Sequence, residues 1–142
     1  MASITTAVLN GGVGGLIATA VMTAVMMGVG DGSPPPTAQL WSKYVGGEPE
    51  ENKAPAMLLH FFYGTLVGAV LVVALGYGGL TGAVTSFGAA VAYGVLLFVV
   101  GAVFWMRTVL GIEPEKKQVI QFFVLHLVYG GVLGGWIAAG VI

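Results

Sequence analysis

"LLHFFYGTLVG", residues 58–68, is an apolar stretch with a single titratable histidine in it, and it returns near the other end of the chain as "VLHLVYGGVLG", residues 124–134. Each copy reads His-x-x-Tyr-Gly, with a further glycine four residues on. Each also sits inside an apolar run of about 20 residues, which is the length a helix needs to cross a bilayer. Working outward, two more such runs appear, so the spans are expected at residues 4–30, 55–75, 81–105 and 118–142. Lipid cannot satisfy free backbone groups and four short spans cannot close a barrel, so the spans must be helices. The fold class is therefore all-α integral membrane, with four transmembrane helices forming a single membrane domain over residues 1–142.

Composition points the same way. Of 142 residues, 57% are hydrophobic and only 8% charged, against about 25% charged in soluble domains. The mean hydropathy is +0.95. Cysteine is absent, which excludes disulfides, thiolate metal sites and dithiol redox chemistry. A net charge of -1 excludes the electrostatic footprint of a nucleic-acid binder. "MASITTAVLNGG" has no basic segment before its apolar run, so no cleavable signal is expected.

The charged residues sort onto one side. Asp31, Lys43, Glu48, Glu50, Glu51 and Lys53 lie between the first and second spans. Arg107, Glu113, Glu115, Lys116 and Lys117 lie between the third and fourth. The other side has the two ends and the glycine turn "GYGGL", residues 76–80. The positive-inside rule then makes the charged loops cytoplasmic, both termini external, and the location the cell membrane. Trp41 and Trp105 fall beside the charged loops, and Tyr77 and Trp136 toward the opposite face, as interfacial anchors do.

The histidine echo is part of a longer repeat. "LWSKYVGGEPE" (40–50) matches "FWMRTVLGIEPE" (104–115) with one residue inserted, pairing Trp41 with Trp105 and Lys43 with Arg107. A looser match lays residues 14–28 on 87–101. The unit is two helices, with repeat one at about residues 1–77 and repeat two at about 78–142. Two spans return a chain to its starting side, so the two copies run parallel. A pseudo-two-fold axis along the membrane normal would relate them. Pro34, Pro35 and Pro36 end the first span, and Thr37 is placed to cap a short interfacial helix. The two Glu-Pro-Glu runs read as helix starts. Lys43 and Arg107 are expected to snorkel to headgroups.

Residues four apart share a helix face, so His60, Gly64 and Gly68 form one stripe and His126, Gly130 and Gly134 its twin. Tyr63 and Tyr129 lie beside each histidine. The plainer reading is a packing seam: small residues let helices approach, while neutral histidines bond to a tyrosine hydroxyl or a carbonyl. The sharper reading is a cofactor site. His60 and His126 would ligate a b-type haem for electron transfer, Gly64 and Gly130 would clear room for the macrocycle, and Lys43 and Arg107 would meet the propionates. A proton-coupled transporter or channel is a third reading, with the histidines as the only intramembrane proton carriers. A non-haem metal would find an incomplete ligand set. No nucleophile–base constellation emerges, and "GGVGG" (11–15) follows no strand, so it is a packing surface.

A Gly/Ala-rich first helix, a Pro-Pro break, a histidine early in a later span and the terminal "HLVYG" resemble the uncharacterised YagU-type inner-membrane proteins and the short four-helix membrane proteins of haloarchaea. The chain lacks the longer polar loop and extra histidines of the YagU type. The resemblance implies a multi-span membrane protein without an assigned reaction. The expected role is non-enzymatic: a structural or accessory subunit whose partners are the lipid bilayer and other membrane helices, in a homo-oligomer or larger complex.

Overall fold

The computed structural model describes residues 3–30, 32–80 and 82–140. Five helices account for most of them: α1 (Ile4–Val29), α2 (Pro36–Val45), α3 (Lys53–Gly78), α4 (Ala83–Leu110) and α5 (Lys116–Ala138). Four of these, all but α2, are long and apolar enough to cross a membrane. Asp31, the boundary expected at residue 81 and the end expected at residue 142 lie outside the described residues.

Local chemistry sets the boundaries. Ser3 caps α1, its hydroxyl accepting from the Thr6 N–H at 3.1 Å. The helix closes at Gly30. Pro36 then opens α2, where its missing N–H costs nothing. Thr37 therefore does not cap α2; it lies inside the first turn, after Pro35, with its hydroxyl buried and without a partner. The Asn52 carboxamide bonds Ser42 Oγ at 2.9 Å and the Gly46 carbonyl at 2.8 Å, tying the end of α2 to the start of α3.

The Glu-Pro-Glu runs sit ahead of the helices rather than in their first turns. Residues 48–50 form a turn before α3. In the second run Glu115 is itself the cap of α5, in a reciprocal box with Gln118. Proline stays outside in both cases.

The last part of α4 departs from α-helical winding. Val100–Leu110 is π-helical, and the Thr108 hydroxyl bonds the Val103 carbonyl five residues back at 3.0 Å. This carries α4 beyond the expected end at residue 105, to a stop at Gly111, whose φ of 68° suits glycine.

The helices pack in the spatial order α3–α1–α5–α4. α1 is central: it lies against α3 along one side and against α5 along the other, and α4 packs on α5. α3 and α4 touch only slightly, and α2 bridges the charged end from α3 to the π-helical segment. A two-fold axis relating residues 1–77 to 78–142 would carry the α1/α5 seam onto an equal α4/α3 seam, and these two are unequal.

Candidate functional site: the histidine level of the bundle

The two glycine stripes do not face each other. The α3 stripe presses on α1. A Cβ added at Gly68 would come within 2.5 Å of the Gly11 carbonyl and 2.6 Å of the Gly15 Cα, and one added at Gly64 would strike the Thr19 hydroxyl. The α5 stripe presses on α4, where a Cβ at Gly130 would lie 2.7 Å from the Ala90 carbonyl and 3.0 Å from the Val91 Cα. Gly134 meets Phe87 and Ala90 of the same helix. Each stripe thus closes one helix pair, α1/α3 or α4/α5, by backbone approach.

Tyr129 links the pairs. Its hydroxyl donates to the Gly64 carbonyl at 2.7 Å, and the residue is 3% exposed. Gly64 is one turn from His60 and Tyr129 nearly one turn from His126, so this bond sets the two histidines at the same level. Tyr63 is half-buried and packs against the core of the bundle.

The histidines have different surroundings. His126 is buried, and its Nδ1 lies 2.8 Å from the Phe122 carbonyl. A carbonyl only accepts, so Nδ1 carries the proton. The ring is packed by Phe122 at 4.3 Å and Phe98 at 6.3 Å between centroids. His60 is half-buried, and its Nε2 is buried without a hydrogen-bond partner. The Thr23 hydroxyl shares that condition. The contact of Thr19 with Gly64 fixes the α1/α3 register, and one turn further along this register brings Thr23 to the level of His60. Two orphaned polar atoms therefore lie at one depth of the first helix pair. Leaving each such atom unsatisfied costs about 1–3 kcal/mol. Among the described residues no hydrogen bond joins either histidine to a tyrosine.

The residues do not fit a haem. The room that Gly64 and Gly130 would have to clear is taken by Thr19 and by Ala90 and Val91. Tyr129 fills the space between α3 and α5 one turn from both histidines. Lys43 is committed elsewhere, its Nζ donating to the Val109 carbonyl at the end of α4. Arg107 lies exposed on the π-helical segment. The protein purified from cells supplied with haem is expected to show no Soret band; a Soret band that disappears in His60→Ala would overturn this. Among the described residues no group of three or more His, Cys, Asp or Glu is placed to hold a metal ion.

Polar contacts that no local pattern announces join α1 to α5. The Trp136 indole N–H donates to Asn10 Oδ1 at 2.7 Å, and the Gln121 carboxamide donates to the Val29 carbonyl at 3.1 Å. Trp136, near the end of α5, is half-buried over Gly14. No family model, curated protein or solved structure matches the chain.

Proposed function

We propose that the chain is a small non-enzymatic membrane protein that serves as a structural or accessory subunit, packing against other membrane helices. In this reading it is built from two parallel two-helix repeats, its charged loops are cytoplasmic and both termini lie outside. The observation that carries the reading is a face of α5 left open by the chain's own packing. Gly131 and Gly135, one turn apart, have nothing within 4 Å of an added Cβ. Ile120 and Val124, 53% and 45% exposed, continue the same face. Glycine inside a helix costs about 1 kcal/mol relative to alanine. The stripe glycines return that cost as backbone contact within the chain, whereas Gly131 and Gly135 find their contact in a second helix.

Mild-detergent extraction from native membranes is expected to yield a particle larger than the 14.5 kDa chain. The double variant Gly131→Leu/Gly135→Leu is expected to keep the wild-type unfolding midpoint, since the added side chains meet open space, and to elute at the size of the single chain. A wild-type particle of single-chain size, or a double variant that still assembles, would sink the reading.

A further inference from the structure

The glycine contact between α1 and α3 does not run the length of the pair. Gly11 and Gly15 lie against Gly68 and Gly64, backbone to backbone. Toward the charged end the glycines run out. Thr19 stands over Gly64, and one turn further Thr23 comes level with His60, so that side chain meets side chain. Helices cannot approach as closely there as they do across glycine. Thr19 satisfies its own hydroxyl, which donates to the Gly15 carbonyl at 2.7 Å. The same bond to the carbonyl four residues back is open to Thr23 and is not made. The Thr23 Oγ1 and the His60 Nε2 are both buried, and neither bonds the other or any further group.

Both atoms are shut off from bulk solvent. Thr23 is 7% exposed, and Ala56, one turn before His60 on α3, is 0% exposed. Inside a bilayer no solvent is at hand to relieve an unpaired polar atom, so its partner has to be held within the protein. The two atoms narrow what that partner is. A hydroxyl both donates and accepts, and an imidazole Nε2 does one or the other according to its tautomer. Water matches the pair in either case, and a buried water takes about two to four polar partners. A metal ion would find one imidazole and no further ligand group at this level. A larger ligand has no room, because Thr19 already fills the adjoining turn against Gly64.

We infer that one water molecule is bound between the Thr23 hydroxyl and the His60 Nε2, bridging α1 to α3 where the glycine contact ends. Such a bridge is nearly as good as a direct hydrogen bond, and it fixes the looser half of the pair. It also gives the two histidines different work. His126 bonds the Phe122 carbonyl of its own helix, whereas His60 joins its helix to α1 through the water.

The proposal is tested with the full chain in hydrated phosphatidylcholine bilayers, its two histidines labelled with carbon-13 and nitrogen-15. Magic-angle-spinning NMR then follows the transfer of polarisation from water protons to the His60 ring. Thr23→Val keeps the shape of the side chain and should fold normally. It is expected to slow the transfer to His60 several-fold and to leave the transfer to His126 unchanged. Unfolding by a denaturing detergent supplies a second readout. Thr23→Val is expected to lower the folding equilibrium constant several-fold in the wild type and to have no effect in a His60→Leu background. Equal effects in the two backgrounds would overturn the proposal, since Thr23 and His60 would then not share a partner. Coupled effects with an unchanged water transfer would overturn it as well, by showing that the hydroxyl and the imidazole bond directly. If His60→Leu does not fold, the NMR comparison decides alone: equal transfer in the wild type and Thr23→Val would sink the idea.

Discussion

Gly68→Leu is expected to separate α1 from α3 and to lower stability by about 3 kcal/mol, the upper end of ordinary overpacking costs. The added Cβ alone would lie 2.5 Å from the Gly11 carbonyl and 2.6 Å from the Gly15 Cα. Both neighbours are backbone, so no rotamer change makes room, and the helices have to move apart along the seam. In a membrane that loss is not recovered by hydrophobic burial, because the alternative environment for these surfaces is lipid of the same polarity. The control is Gly76→Leu on the same helix, where an added Cβ has nothing within 4 Å. Unfolding by titration with a denaturing detergent should leave Gly76→Leu at the wild-type midpoint and shift Gly68→Leu strongly downward. Coincident curves for Gly68→Leu and wild type would mean that the α1/α3 seam is not the close backbone contact described above.

Trp136→Ala is expected to uncouple the two helix pairs. Truncating a packed tryptophan costs about 3–5 kcal/mol in well-packed interiors. Here the ring covers Gly14, with Cδ1 2.5 Å from the position of an added Cβ, and its N–H satisfies Asn10 at 2.7 Å. The α1/α5 seam is the broad contact between α1/α3 and α4/α5, since α3 and α4 barely meet. Losing its outer anchor leaves the Gln121–Val29 and Tyr129–Gly64 bonds still joining α1 and α3 to α5. The detergent titration is then expected to resolve into two transitions instead of one. Trp136→Phe, which keeps a ring but loses the hydrogen bond, should fall between. A single transition at the wild-type position for Trp136→Ala would show that Trp136 does not couple the pairs.

The spans were legible because length and apolarity decide them, and neither depends on which helix packs on which. Where expectation and structure part, a non-local fact is responsible. The third span was expected to end at residue 105, but the end of an apolar run marks the membrane boundary and not the backbone one. No proline or glycine interrupts residues 102–110, so α4 continues to Gly111 in π-helical winding. The matching segment around Trp41 forms a separate helix only because three prolines precede it. The small-residue stripes were legible as contact faces. Spacing shows that a face packs, however, and not against whom, so the assignment of the stripes to α1 and α4 came only with the fold. The Asn10–Trp136 pair is 126 residues apart in the chain, and no periodicity carries that information. The unsatisfied Nε2 of His60 was likewise invisible, because its neighbours on α1 are set by the register of the Gly11–Gly68 approach.

The central place of α1 has a consequence for biogenesis. Of the four long helices α1 is made before the others and α5 after them, yet the two share a seam. α1 and α3 can pair as soon as the second span is inserted. The other side of α1, with Asn10 and Gly14, stays exposed to lipid or to the insertion machinery until Trp136 has been synthesised. Among these four helices, the one made last therefore closes over the one made first. Any chain stalled after the third span is left with an open flank of α1 on which a foreign helix, or a quality-control protease, can act.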